Sequence, residues 1–184
     1  RGDASVAHGV AIAAAEWPFD AVADEVLPDL DLSPYALVVW ITGQESTVDE
    51  SFSDEQQLLI RSFVEGGGAL WASGSEILWD LDPYGSPTDL AFATEVLGAV
   101  LESDASTTEL VEAEGVLAGV GPLDFGLEAG APYPVGYPDV LQSDRPVIAR
   151  YGDGTVAGVL GDGVALFGFP FECIGDPVSR ADAA

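Results

Sequence analysis

The stretch Gly66-Gly67-Gly68-Ala69-Leu70-Trp71-Ala72-Ser73-Gly74-Ser75-Glu76-Ile77-Leu78-Trp79-Asp80 decides how the chain is read. The glycine run stops a helix, residues 69–73 form a short buried strand, and the Ser-Gly-Ser that follows is a sharp turn into a new helical pattern. In an open α/β sheet, a strand-to-helix turn of this kind is where ligands sit and nucleophiles are mounted.

Working back from it, Ser53-Asp54-Glu55-Gln56 reads as a capping box, and Leu58, Leu59, Phe63 and Val64 recur at helical spacing behind it. The run Tyr35-Ala36-Leu37-Val38-Val39-Trp40-Ile41-Thr42 is apolar and rich in β-branched residues, as a strand covered on both faces requires. Strand, loop, helix and strand in that order make a βαβ unit with parallel pairing and a right-handed crossover. Nearer the N-terminus, residues 5–16 suit an Ala-rich helix ended by Trp17-Pro18, and residues 19–23 suit a short strand.

Working forward, residues 81–89 read as a loop and residues 90–97 as a helix stopped by Gly98. The segment from about 100 to 145 is rich in Gly and Pro and reads as irregular, with a strand-prone piece at 107–111. Three apolar runs follow at 147–151, 155–160 and 164–171, separated by Gly152-Asp153-Gly154 and Gly161-Asp162-Gly163. Those turns predict an antiparallel meander.

The chain has 184 residues, 48% of them hydrophobic, with 32 acidic against five basic residues and a net charge of −27. This is enough apolar material for one domain. The charge argues against nucleic acid and anionic membrane as partners, because both need a cationic face, and it fits a saline setting that screens self-repulsion. No apolar run approaches the ~20 residues that cross a bilayer. The single Cys173 allows no internal disulfide. No phosphate-binding glycine motif stands at a strand-to-helix turn, and there is no Lys to reach a phosphate, so no nucleotide cofactor is expected.

The order of elements resembles the class I glutamine amidotransferase-like fold. The pieces that carry the resemblance are Leu37-Val38-Val39-Trp40-Ile41-Thr42-Gly43, residues 67–76 and Ala165-Leu166-Phe167-Gly168-Phe169-Pro170-Phe171-Glu172. More narrowly, Gly43-Gln44-Glu45-Ser46-Thr47, residues 73–82 and residues 167–172 resemble uncharacterised non-catalytic domains of that type in secreted multidomain bacterial proteins. The resemblance implies a flavodoxin-like three-layer sandwich, with a mostly parallel sheet and antiparallel strands near the C-terminus. It implies one domain over 1–184, an irregular insertion at about 100–145 and an opening strand ahead of Arg1. It also implies an extracellular or periplasmic accessory module that binds other domains or subunits, itself included.

The departures from that pattern bear on the chemistry. The family's nucleophilic cysteine would fall at Gly74, give or take one residue, and the chain offers Ser73, Gly74 and Ser75. Glu172 and Cys173 stand where the family's His-Pro would be. The only histidine, His8, lies on the Ala-rich first helix, so a serine triad is expected to lack its base.

Acidic residues remain at the strand ends: Glu45, Glu76, Asp80, Asp82 and Glu172, which a parallel sheet would project toward one edge. Three readings compete. In the first, Glu45, Ser46, Ser73, Ser75, Glu76 and Glu172 form a binding or loop-pinning set of a non-catalytic module. In the second, Asp80, Asp82 and Asp89 with nearby carbonyls hold calcium, although the spacing is not that of an EF-hand loop. In the third, Glu76 and Glu172, with Ser75 as a further catalytic candidate, serve a glycan-directed hydrolase, and Trp71, Trp79 and Tyr84 stack on carbohydrate. That third reading needs the carboxyl groups ~5–10 Å apart. A self-associating structural protein is the remaining alternative.

Overall fold

The computed structural model describes residues 4–23, 26, 30–44 and 50–184. Its strands are β1 (Leu37–Gln44), β2 (Ala69–Ser75), β3 (Val100–Ser103), β4 (Val111–Ala113), β5 (Val140–Gln142), β6 (Val147–Tyr151), β7 (Val156–Gly161) and β8 (Val164–Phe167). Its α-helices are α1 (Ala4–Ala14), α2 (Asp54–Glu65), α3 (Ile77–Leu81), α4 (Pro87–Phe92) and α5 (Pro177–Asp182).

Among the described residues the main sheet has six strands in the order β1-β2-β8-β7-β6-β4, and β3 pairs with β5 in a second, two-stranded sheet. Only β1–β2 and β2–β8 are parallel; β8–β7, β7–β6 and β6–β4 are antiparallel. This mixed, strand-rich arrangement corrects the expectation of a flavodoxin-like, mostly parallel sandwich. The physical reason is the supply of crossovers: parallel neighbours need a long connection such as a helix, whereas two-residue turns force antiparallel pairing. Among the described residues β1–α2–β2 is a βαβ unit and a longer connection carries the chain from β2 to β8, whereas β6, β7 and β8 follow one another through tight turns. At the β7–β8 turn both Asp162 (φ 51°) and Gly163 (φ 77°) are left-handed, the geometry that suits the twist of a hairpin.

Several local expectations appear as read. Ser53 Oγ accepts from the Gln56 amide and Gln56 Oε1 accepts from the Ser53 amide at 2.7 Å, so the capping box opens α2. The helix expected at 90–97 starts earlier, at Pro87, because Ser86 caps it and Pro suits the first turn; a π-helical turn over Ala93–Leu97 then leads to a left-handed Gly98. Among the described residues, 19–23 pair with no strand and are not a strand themselves.

Two hydrophobic clusters flank the sheet, as the period-two alternation of its strands dictates. Trp40, Leu70, Ala72, Val164 and Leu166 join Ile60, Leu78, Phe92 and Leu97 on one side. Trp71, Phe167, Phe169 and Phe171 join Ala11, Val111, Phe125 and Tyr151 on the other. β2 has a parallel neighbour on each side and six consecutive buried residues, so the turn at its end is held from both sides.

Candidate functional site

The end of β2 bends because two backbones pass very close together. A Cβ on Gly74 would lie 1.7 Å from Thr42 Oγ1 and 3.0 Å from the Gly43 carbonyl oxygen, so only glycine fits opposite β1 there. Two residues on, Glu76 takes φ 62°, ψ 11° and forms the N-cap of α3. The left-handed residue of the turn is therefore Glu76 and not a serine, a conformation that is uncommon outside glycine.

Glu76 is 7% exposed and its Oε2 is buried without a hydrogen-bond partner. Burial first, then the neighbouring carboxylates of Asp104 and Asp80, raise its pKa. Below the turn lies Asp139, which the sequence reading missed. Its Oδ2 accepts from the Leu78 amide at 2.8 Å, its amide donates to the Gly168 carbonyl at 2.7 Å, and its carbonyl accepts from the Tyr151 hydroxyl at 2.8 Å. It is fully buried, and Oδ1 has no partner. Burial pushes its pKa well above the ordinary carboxylate range; the Leu78 amide opposes this, and Asp104 and Glu76 add to it. Glu76, Asp104 and Asp139 thus form one electrostatically coupled group.

Glu172 stands elsewhere. It lies in the 3₁₀ turn Phe171–Cys173, 2% exposed, and its Oε1 accepts from the Tyr133 hydroxyl at 2.5 Å. A Cβ on Gly43 would be 3.1 Å from that same oxygen, so the glycine ending β1 makes room for the carboxylate. Tyr133, also missed, has its pKa raised by burial and by Glu172. Arg180 Nη1 clamps the turn from below through the Glu172 and Ile174 carbonyls, at 3.1 and 2.9 Å. The adjacent Cys173 thiol is buried, and burial pushes it up to about 12. Glu76 and Glu172 share none of these partners.

His8 was expected to leave the strand-end serines without a base. It is instead buried among Trp71 and Phe171, with ring centroids 5.6 and 4.9 Å away, and its Nε2 lies 3.2 Å from Ser73 Oγ. Its Nδ1 is 3.0 Å from the Ala4 carbonyl. A carbonyl only accepts, so Nδ1 carries the proton and Nε2 accepts from Ser73. Burial lowers the His8 pKa, which keeps the ring neutral and suited to that role. Ser73 itself is fully buried inside β2, where no substrate carbonyl reaches it. Ser75 Oγ is also buried and has no partner.

The three aspartates proposed for calcium each serve a different amide. Asp80 accepts from the Ser51 amide at 2.7 Å, Asp82 from the Leu101 amide at 3.1 Å, and Asp89 from the Ser86 amide and Gln57 Nε2, both at 2.6 Å. Among the described residues, no group of three or more His, Cys, Asp or Glu is arranged to hold a metal ion. Glu45 and Ser46 lie outside the described residues. Of the aromatic residues, Tyr84 is exposed and Trp71 is core. Among the described residues, no helix is long and apolar enough to cross a membrane.

No protein-family model and no curated protein matches the chain. Two solved structures are similar to it. Over the whole of this chain, α-L-fucosidase isoenzyme 2 from Paenibacillus thiaminolyticus superposes with a TM-score of 0.62 at 12% identity. Over 81% of the chain, the β-galactosidase of the psychrophilic Marinomonas ef1 superposes with a TM-score of 0.50 at 17% identity. The matched regions are 28% and 19% of those two chains. The chain therefore has the fold of a part of two glycosidases, and it spans less than a third of either.

Proposed function

We propose that the chain is a non-catalytic binding or assembly module of a larger carbohydrate-acting protein working outside the cytoplasm in a saline setting. The observation that carries this reading is that, apart from Glu76 and Ser75, the described strand-end groups are spent on the fold. Glu172 is held by Tyr133, Asp139 caps α3, Ser73 is sealed against His8, and Asp80, Asp82 and Asp89 each accept from a backbone amide. The fold likeness to a fraction of two glycosidases supports the carbohydrate context.

A second reading, a carboxylate-based hydrolase, draws on one observation: Glu76 is nearly buried, has a raised pKa and sits on the strained residue of the turn, as a general acid would. The two readings separate on a panel of aryl glycosides, fucoside and galactoside included. The accessory reading expects no turnover above a Glu76→Gln, Glu172→Gln double variant. Turnover that either single variant abolishes, with the fold intact by circular dichroism, would overturn it.

A further inference from the structure

The outer edge of β1 is an eight-residue strand, Leu-Val-Val-Trp-Ile-Thr-Gly-Gln, without a charge or a proline, and among the described residues it pairs only with β2. Exposed edges of that kind template further strand pairing, and folded proteins shorten, charge or cover them. The opposite edge, β4, is only three residues long. Among the described residues, no charge, proline or further strand blunts the outer edge of β1.

Alongside it runs a cavity of about 510 Å³. Consecutive residues 37–41 line it, so it follows the strand edge and not one face of the sheet. His8, Gly9 and Ile12 of α1 close it from one face, and Leu30 and Leu32 from the other. The far wall is residues 18–23, of which 19–23 suit a strand by sequence but, among the described residues, pair with no strand; Phe19 and Val22 there are 48% and 54% exposed. Among the described residues, Asp20, tied to the Tyr35 hydroxyl at 2.7 Å, and Glu50 are the charged residues of the lining, and no arginine lines it. A second copy of the chain would bring another −27 of charge to this acidic slot, so a cationic occupant fits better.

We propose that this slot is a strand-acceptor site for an extended segment of a partner polypeptide, apolar at its centre and carrying Lys or Arg at its ends. The segment adds to the sheet by hydrogen-bonding to β1. About five residues span the ~17 Å of edge that lines the slot. Side chains at its alternate positions meet α1 on one face and Leu30 and Leu32 on the other. The inference stands independently of the accessory-module reading.

The probe is a soluble peptide, Lys-Val-Ile-Thr-Val-Val-Lys, compared with a version carrying Pro at its centre, which removes a ladder donor. Hydrogen exchange at residues 37–41 is expected to slow about tenfold with the first peptide and not with the second. Affinity is expected to fall several-fold, roughly, between 50 and 500 mM salt. An Ala21→Trp variant, which fills the slot from its exposed far wall, is expected to weaken binding about tenfold without altering the circular dichroism spectrum. No protection, equal binding of the Pro peptide, or the same protection appearing without peptide alongside a dimer in sedimentation would each overturn the proposal; the last would make the occupant a second copy.

Discussion

Glu172 and Asp139 are both carboxylates, both buried, and both placed within a few residues of a strand end, yet their surroundings differ in kind. Glu172 faces a phenolic hydroxyl at 2.5 Å, and Arg180 binds its backbone carbonyl. Asp139 accepts from the Leu78 amide of α3 but is pressed by Asp104 and Glu76. The two buried acids therefore differ in what surrounds them: Glu172 meets a hydroxyl donor, while at Asp139 burial first, and then the like-charged neighbours, favour the protonated form.

The largest effect is expected where backbone holds the Asp139 side of that contrast together. A Cβ on Gly168 would come within 2.3 Å of the Asp139 carbonyl oxygen. Gly168→Ala should cost about 3 kcal/mol in urea unfolding. Tyr133→Phe comes next: it leaves both Glu172 oxygens without a donor and should cost about 2 kcal/mol, most of it recovered by adding Glu172→Gln. A double-mutant cycle measures that coupling.

Smaller still, and distinguishable by sign, is the pH response. The folded state binds the Asp139 proton more tightly than the unfolded chain. Its stabilising contribution is therefore complete below the ordinary value of 3.8 and is lost as pH rises through the higher folded value. Asp139→Asn keeps an acceptor for the Leu78 amide, so it should change stability by about 1 kcal/mol or less at pH 5 and should flatten the decline toward pH 8 relative to the parent. His8 has the opposite sign. Its lowered folded pKa makes its contribution present above 6.5 and lost as pH falls through the folded value, and its ring resonances should titrate below 6.5. At the bottom of the scale, Arg61 and Glu95 pair at 2.7 Å on the exposed surface, and Arg61→Ala should cost about 0.5 kcal/mol or less.

What the sequence made legible is what neighbouring residues decide among themselves. Ser53 and Gln56 are three apart, Asp162 and Gly163 are adjacent, and each pair announces its own cap or turn. The position of β8 beside β2 was not legible, because it depends on which strand fills the centre of the sheet after the hairpins form. The site divides in the same way. Glu76 and Glu172 could be named from the segments they end, but their partners come from far along the chain. Asp139 reaches Leu78 across 61 positions, Tyr133 reaches Glu172 across 39, and His8 reaches Ser73 across 65. No periodicity encodes such pairings. A lone histidine on an Ala-rich helix carried no signal of a buried hydroxyl waiting for it.

The sealed Cys173 has a practical consequence. Alkylation and disulfide exchange require a thiolate that a reagent can reach, and this thiol, buried and pushed up to about 12, is neither ionised nor accessible while the fold is closed. Because it is the sole cysteine of the chain, every modification event on the protein counts one opening of the layer beneath Glu172. The molecule thus carries its own stopwatch: the rate at which an alkylating reagent consumes a single sulfur times the breathing of this half of the core, with no label to install.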